Sequence, residues 1–240
     1  MSPGITTDRK TDVRHDPSLG CAEFRESSGY EHESEVMALR RLLDGLLTGS
    51  RFRTAVDVGG GYGRLSAVLT EYADQVTLVD PSSQQLSLAK RAFPGRPPFR
   101  RRRADTAHLG FPDGSIDLVT LVRVLRHRPD PDPEFAELSR ILRPGGYAII
   151  EVPKSRHHPE VIARQLAAVG LHPREVLSVS NLGHPLAKAV LPQSAMLAVE
   201  RAAQRPLGPF YFGPSVFFLM RKTGVLRGGV ASVPRQRATE

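Results

Sequence analysis

Glycines 59, 60, 61 and 63 lie in the stretch AVDVGGGYGRLSAVL, between an apolar run and the start of a helical pattern, with Asp57 just ahead of them. Glycine is needed where the backbone turns through positive φ or approaches a ligand closely. Four within five positions exceed what a tight turn requires, and a loop of this kind at a helix start suits an anionic or nucleotide-like group, because unsatisfied amides and the macrodipole favour negative charge there. The dinucleotide fingerprint G-x-G-x-x-G/A fits poorly. Counted from Gly59 and Gly61 its last position falls on Arg64, too bulky for close packing; counted from Gly61 and Gly63 it falls on Ser66, a weaker match. The spacing that fits without strain is Asp57-x-Gly59-x-Gly61-x-Gly63. Three more side chains stand where chemistry could use them: Asp80 at the end of VTLVD, Asp105 in RADTAHLG and His127 in VLRHRPD. One carboxylate can accept two O–H donors, and imidazole serves as a base near neutrality.

These residues need elements to position them. Glu35 to Leu47 places Val36, Leu39, Leu43 and Leu46 or Leu47 on one helical face. Apolar runs then alternate with helical patterns: strands over 54–58, 76–79, 116–122, 147–152 and 176–179, helices over 64–72, 83–93, 134–142 and 160–169. Strands separated by helix-sized crossovers pair in parallel, and burial on both faces accounts for their continuous apolarity. The glycine loop falls at the first strand-to-helix turn, the usual ligand position of a doubly wound sheet.

Composition narrows the classes. The chain has 240 residues, of which 40% are hydrophobic, enough for one sizeable domain with an adequate core. The single Cys21 supports neither a disulfide framework nor a cysteine-rich metal site, and no His and carboxylate cluster has metal-ligand spacing. No signal-peptide run and no membrane-length apolar segment is seen, so a cytoplasmic protein is expected. The net charge of +8 would suit a polyanion, yet the basic residues are mostly arginine beside 20 prolines, a bias that GC-rich coding produces without selection for binding. The run at residues 100–103 reads as a solvated strand end.

The Asp57 to Gly63 motif resembles that of the class I S-adenosylmethionine-dependent methyltransferases, in their type 11-like, small-molecule branch. The order of the later segments agrees: VTLVD, then RADTAHLGFPDGSIDLVTLVRVLRH, then ELSRILRPGGYAIIEVP, together covering residues 54–153. The resemblance implies a Rossmann-like α/β sheet of seven strands, mostly parallel with an antiparallel last strand, PSVFFLMRK, plus an amino-terminal helix and a helical insertion before that strand. Residues 1–28, polar and without periodicity, read as a poorly ordered tail and 224–240 as a flexible basic tail; the resemblance implies a methyltransferase domain at 29–223 with a substrate-covering segment near 180–214.

S-adenosylmethionine is the implied cofactor. Gly59, Gly61 and Gly63 would surround its methionine end, with Asp57 orienting the loop amides or meeting the amino group directly or through water and Tyr62 packing there or on the surface; Asp80 and Pro81 would hold its ribose, Asp105, Thr106 and Ala107 its adenine, and Val122 would start the reaction-centre loop. A methyl sulfonium is reactive in itself, so the protein's task is to align the nucleophile and exclude water, with no metal. His127 is the candidate base, and Tyr30 its amino-terminal partner as in the similar phosphoethanolamine methyltransferases; packing of the loop is the alternative for His127. Arg123 and Arg126 flank it and would bind an anionic substrate or point to solvent. Met196, Val199 and Ala203 would pack on the core or, as a lid, form an apolar pocket with His184, Phe210, Tyr211 and Phe212. The expected partner is a small-molecule acceptor methylated on O, N or C; RNA methylation and a non-methylating binding protein or cyclase on the same fold are the alternatives.

Overall fold

A computed structural model describes residues 29–47, 51–94 and 99–223. The expected tails at 1–28 and 224–240, and Cys21, lie outside the described residues. The elements follow in the order α1 (Gly29–Asp44), β1 (Phe52–Val58), α2 (Arg64–Leu69), β2 (Ala73–Asp80), α3 (Ser83–Ala92), β3 (Arg100–Arg103), β4 (Ile116–Leu121), α4 (Asp132–Ile141), β5 (Leu142–Pro153), α5 (Pro159–Ala168), β6 (Leu171–Val179), α6 (Pro185–Val190), α7 (Gln193–Leu207) and β7 (Ser215–Lys222). Single 3-10 turns occur at Leu125–His127 and Gly208–Phe210.

The strands form one sheet in the order β3-β2-β1-β4-β5-β7-β6, in which β7 runs antiparallel to both its neighbours and the other pairs are parallel. Strand order reverses between β1 and β4, so the crevice for a ligand lies beyond the carboxyl ends of those two strands.

Period-two alternation divides each central strand between two cores. Ala55, Leu118, Ile149 and Phe217 face a cluster with Leu39, Leu42 and Leu43 of α1 and Leu65, Val68 and Leu69 of α2. Their neighbours Val56, Val119, Ile150 and Phe218 face Phe135, Leu138 and Ile141 of α4 and Ile162 and Leu166 of α5. Polar residues at strand ends therefore face one helical layer or the other by parity alone, and this aims Asp57 and Glu151 toward the α1 side.

Several boundaries differ from the periodic reading. The first helix begins at Gly29, because Tyr30 and Ser34 are buried by polar contacts that hydrophobic spacing does not report. Helix α2 stops at Leu69, and the Tyr72 carbonyl turns to accept the Phe52 N–H at 2.9 Å. Strand β6 starts at Leu171 and includes Pro173, which an edge strand tolerates. Strand β3 is also an edge, and its charged side chains discourage further strand pairing. Arg102 stacks 4.4 Å from the Phe111 ring and donates to the Leu109 and Gly110 carbonyls, while Arg103 donates to the Pro81 carbonyl.

Candidate functional site

At the head of β1 the glycine loop is made of turns that few side chains could follow. Gly63 has φ 90, and a Cβ there would lie 2.5 Å from Phe99 Cζ, so this position is closed by packing. Gly61 has φ 58, yet its nearest neighbour to an added Cβ is Gln85 Oε1 at 3.5 Å, so the space above it is open. Asp80, at the carboxyl end of β2, holds this loop: its Oδ2 accepts the Gly61 N–H at 2.9 Å and its Oδ1 the Ser82 N–H at 2.8 Å. Burial pushes the Asp80 carboxyl above the usual range, opposed by those two amides. Each carboxylate oxygen keeps a second lone pair for a ligand hydroxyl. The open cradle over Gly61 with a carboxylate beside it fits a ribose-bearing cofactor.

Asp57 is buried beneath the loop. Its register partner on β4 is Thr120, which shares its face and donates to Oδ1 at 2.8 Å; Ser66 of α2 donates to Oδ2 at 2.7 Å. Burial raises its pKa against these two hydroxyls. Both oxygens fasten β1, β4 and α2 together, and because Asp57 is buried it shapes the loop from below. Tyr62 is half-buried against the α1-side core.

On the far side, Pro81 is exposed, Asp105 accepts the Ala107 N–H at 2.9 Å through Oδ1, and Ala107 is half-buried. The Thr106 hydroxyl is turned inward, donating to Glu134 Oε1 at 2.9 Å and accepting from Arg128 at 2.8 Å. Only the backbone of Thr106 is left for a ligand. Val122 follows β4 with its side chain in the α1-side core.

On the other side of the strand-order reversal lies a cavity of about 730 Å³, lined by Glu31, Glu35, Arg123, Arg126, Glu151, Pro153, Ser155, Ser180, Asn181, Gly183, His184, Pro185, Pro214 and Ser215. This corrects the expected apolar pocket. Of the insertion's aromatic cluster, Phe210 and Phe212 are 78% and 63% exposed and Tyr211 packs near Phe218; of that group His184 alone reaches the cavity lining. Met196 is buried, whereas Val199 faces solvent.

Two buried carboxylates, Glu35 and Glu151, organise the cavity. Glu35 of α1 receives Arg64 Nη2 at 2.5 Å and Arg123 Nε at 2.7 Å. Glu151, at the carboxyl end of β5, accepts the Arg123 N–H at 2.8 Å through Oε2. Arg123 is held at φ 62, a conformation that costs a non-glycine residue about 1 kcal/mol or more. Ser180, with φ 61, is strained alike and also lines the cavity; three non-glycine residues among those described have positive φ. Burial raises the pKa of Glu151, opposed by Arg126. Nothing in the segment EVP distinguishes Glu151 from an ordinary strand end, so sequence reading missed it; its charge at a position facing the core was the available signal.

Tyr30 is not brought to the cavity. Its hydroxyl donates to Glu200 Oε2 at 2.6 Å and accepts the Leu182 N–H at 3.0 Å, and burial followed by the Glu200 contact holds the phenol well above its usual pKa. Glu200 of α7 is fully buried and also accepts from Ser34 and from the Ser180 and Asn181 amides. The insertion thereby clamps α1 and the loop after β6. His127 is exposed at the end of the 3-10 turn, next to Arg126, its N–H bonded to the Val124 carbonyl. The structure does not bring Tyr30 and His127 together through any hydrogen bond described here. Among the described residues there is no cluster of His, Cys, Asp and Glu that could hold a metal, and no helix long and apolar enough to cross a membrane.

Sheet order, glycine loop and β2 carboxylate define a Rossmann-like doubly wound sheet with a ligand loop at its first turn. Residues 56–150 match the family described as a methyltransferase domain. A Mycobacterium sp. (strain KMS) protein described as an uncharacterized methyltransferase is 36% identical over 98 residues, 41% of this chain and 38% of its own length. The 2-methyl-6-phytyl-1,4-hydroquinone methyltransferase of Synechocystis sp. is also 36% identical over 98 residues, covering 40% of this chain and 31% of that one. In structure, the Haloferax volcanii methyltransferase solved with its Trm112 activator superposes over 89% of this chain and 100% of its own, with TM-score 0.63 and 22% identity. Residues 56–150 thus carry the match to a methyltransferase domain, and the solved neighbour shares the fold. The alignment spans well under half the length of these curated relatives.

Proposed function

We propose that this protein transfers the methyl group of S-adenosylmethionine to a heteroatom of a small organic acceptor. The observation that carries the reading is the open cradle over Gly61, held by Asp80, facing the same sheet end as the polar cavity over β4, β5 and β6. In this reading the 59–63 loop and Asp80 would hold the cofactor's amino-acid end and ribose, and Asp105 and Ala107 its adenine. The bound cofactor supplies an electrophilic methyl, so the chain's own contribution is alignment and exclusion of water. A small acceptor is supported by a cavity of about 730 Å³ and by the hydroquinone substrate named for the Synechocystis relative. RNA methylation is less well supported: two of the four β3 arginines are engaged with the protein's own loops.

Calorimetric titration with S-adenosylmethionine, S-adenosylhomocysteine and NAD tests this. Selective binding of the first two, followed by transfer of a labelled methyl to small acceptors, is the expected result. NAD binding alone, or no binding, would remove it, and binding of RNA that weakens steeply with salt would favour the nucleic-acid reading.

A further inference from the structure

We infer that the acceptor is a small molecule bearing both an anionic group and a methylatable hydroxyl or amine, with Arg126 receiving the anion and Glu151 the O–H or N–H. This rests on the methyl-transfer reading and specifies the other half of its site.

The cavity wall is the first argument. Three carboxylates, two arginines and His184 line it, and its remaining groups are mostly hydroxyl, amide, proline and glycine. An apolar acceptor would strip water from these charges and return nothing, at a cost of several kcal/mol for unpaired groups. A polar acceptor of complementary charge recovers that cost.

The charges are unequally committed. Glu35 is satisfied by Arg64 and Arg123, and Arg123 is held at both its side chain and its backbone amide. Arg126 differs. Its Nη2 stands 3.8 Å from Glu151 Oε1, beyond hydrogen-bond reach, and its Nε is buried without a hydrogen-bond partner. The Arg126 side chain is nevertheless 42% exposed, so a planar anion can reach its terminal nitrogens and form charge-assisted bonds there. Arg126 and Glu151 stand side by side on the cavity wall, so one small molecule lying against it can reach both.

Position is the third argument. Glu151 follows Ile150, which is level with Leu121 of β4, itself level with Val58 of β1. Glu151 thus stands at the same height as the start of the glycine loop, two strands or about 10 Å across the sheet. That separation accommodates the reacting ends of a donor and an acceptor. When the acceptor heteroatom's lone pair bonds to the methyl carbon, the carbon–sulfur bond breaks with its electrons going to sulfur. The heteroatom's proton passes to Glu151 Oε1 and leaves to water on product release. Burial among the α1 and β5 side chains makes Glu151 a stronger base than an exposed glutamate.

The test is ligand-detected NMR on the full chain loaded with S-adenosylhomocysteine, using matched probes: small hydroxy- and amino-carboxylates, the corresponding phosphate monoesters, and their neutral amides and alcohols. Anionic probes should bind and neutral ones fail to compete, with the two anion sets separating carboxylate from phosphate acceptors. Arg126→Gln should weaken anion binding tenfold or more and erase the preference. Glu151→Gln should keep anion binding within about threefold but lose discrimination between a hydroxy-carboxylate and its O-methyl ether. Retained S-adenosylhomocysteine affinity shows that each variant is folded. Neutral probes binding as well as anions, no probe binding at all, or a preference that survives Arg126→Gln overturns the inference alone. Loss of S-adenosylhomocysteine binding in the unmutated chain instead overturns the methyl-transfer reading, and this inference with it.

Discussion

The Asp80 carboxylate accepts the Gly61 amide at 2.9 Å, tying the end of β2 to the one open position of the glycine loop. Because its other oxygen caps the turn at Ser82, the carboxylate is fixed before any ligand arrives. Asp80→Ala should therefore weaken S-adenosylmethionine binding by about 1–3 kcal/mol, roughly 5- to 150-fold, the usual loss for a hydrogen-bonded buried carboxylate. Calorimetry decides it, and an unchanged dissociation constant would remove Asp80 from the cofactor site.

Gly61 and Gly63 should separate binding from folding. Gly63→Ala drives a methyl into the Phe99 ring at positive φ and should lower the melting temperature markedly, with a stability loss of about 2–4 kcal/mol. Gly61→Ala meets nothing but strain of about 1 kcal/mol, yet its methyl enters the cradle. Its expected signature is near-normal thermal unfolding with cofactor binding lost. Normal cofactor affinity in this variant would place the ligand elsewhere.

Glu200 joins α7 to α1 and to the loop after β6 by accepting hydrogen bonds from five residues, Tyr30, Ser34, Ser180, Asn181 and Gln204. Glu200→Gln turns an N–H toward donors and should cost about 2–4 kcal/mol in denaturant unfolding. Tyr30→Phe removes one of those contacts and strands the Leu182 amide, a loss of about 1–2 kcal/mol with cofactor affinity intact. A collapse of kcat in Tyr30→Phe beyond that expected from stability would restore a catalytic role to the phenol.

Glu151→Gln and His127→Ala compare two proton acceptors. Glu151 lies inside the cavity, whereas a proton reaches exposed His127 through water or loop movement. The expected fall in kcat is on the order of 100-fold for Glu151→Gln and clearly smaller for His127→Ala. The reverse order, measured at saturating acceptor, assigns the proton to His127.

Acid sensitivity should trace to Glu137, whose pKa the Arg140 guanidinium holds below the usual range, and which also accepts the Leu109 N–H at 2.7 Å. For a carboxyl depressed in the folded state, the stabilisation is fully present above the unfolded value near 4.5 and is lost as pH falls through the lower folded value. The gap in melting temperature between the unmutated protein and Glu137→Gln should therefore be constant near pH 6–7 and shrink below about pH 4.5. A gap independent of pH across that range would show that the contact is not ionic in origin.

Local patterns carried much of this molecule. Strand and helix alternation, the glycine spacing and the placement of Asp80 after an apolar run were legible because each depends on a few consecutive residues and on backbone periodicity. Boundaries were less so: α1 reaches back to Gly29 through polar burial, and the residues of β6 before Val176 carry His172, Pro173 and Arg174, which hide a strand that exists because β7 pairs with it. The site divided the same way. The glycine loop and Asp80 were readable from their spacing; the charged cavity over β4, β5 and β6 was not.

By itself the sequence determined a doubly wound sheet with a cofactor loop at its first turn, since these follow from contacts within a strand, a turn and the next helix. Tertiary structure alone decided that Tyr30 serves Glu200, 170 positions away, that Glu35 and Glu151 meet around Arg123, and that the cavity over β4, β5 and β6 is charged where an apolar pocket was expected. The reason is physical: in the sequence a buried carboxylate looks like any surface charge, and only the assembled layers show which donors it faces and whether water can reach it.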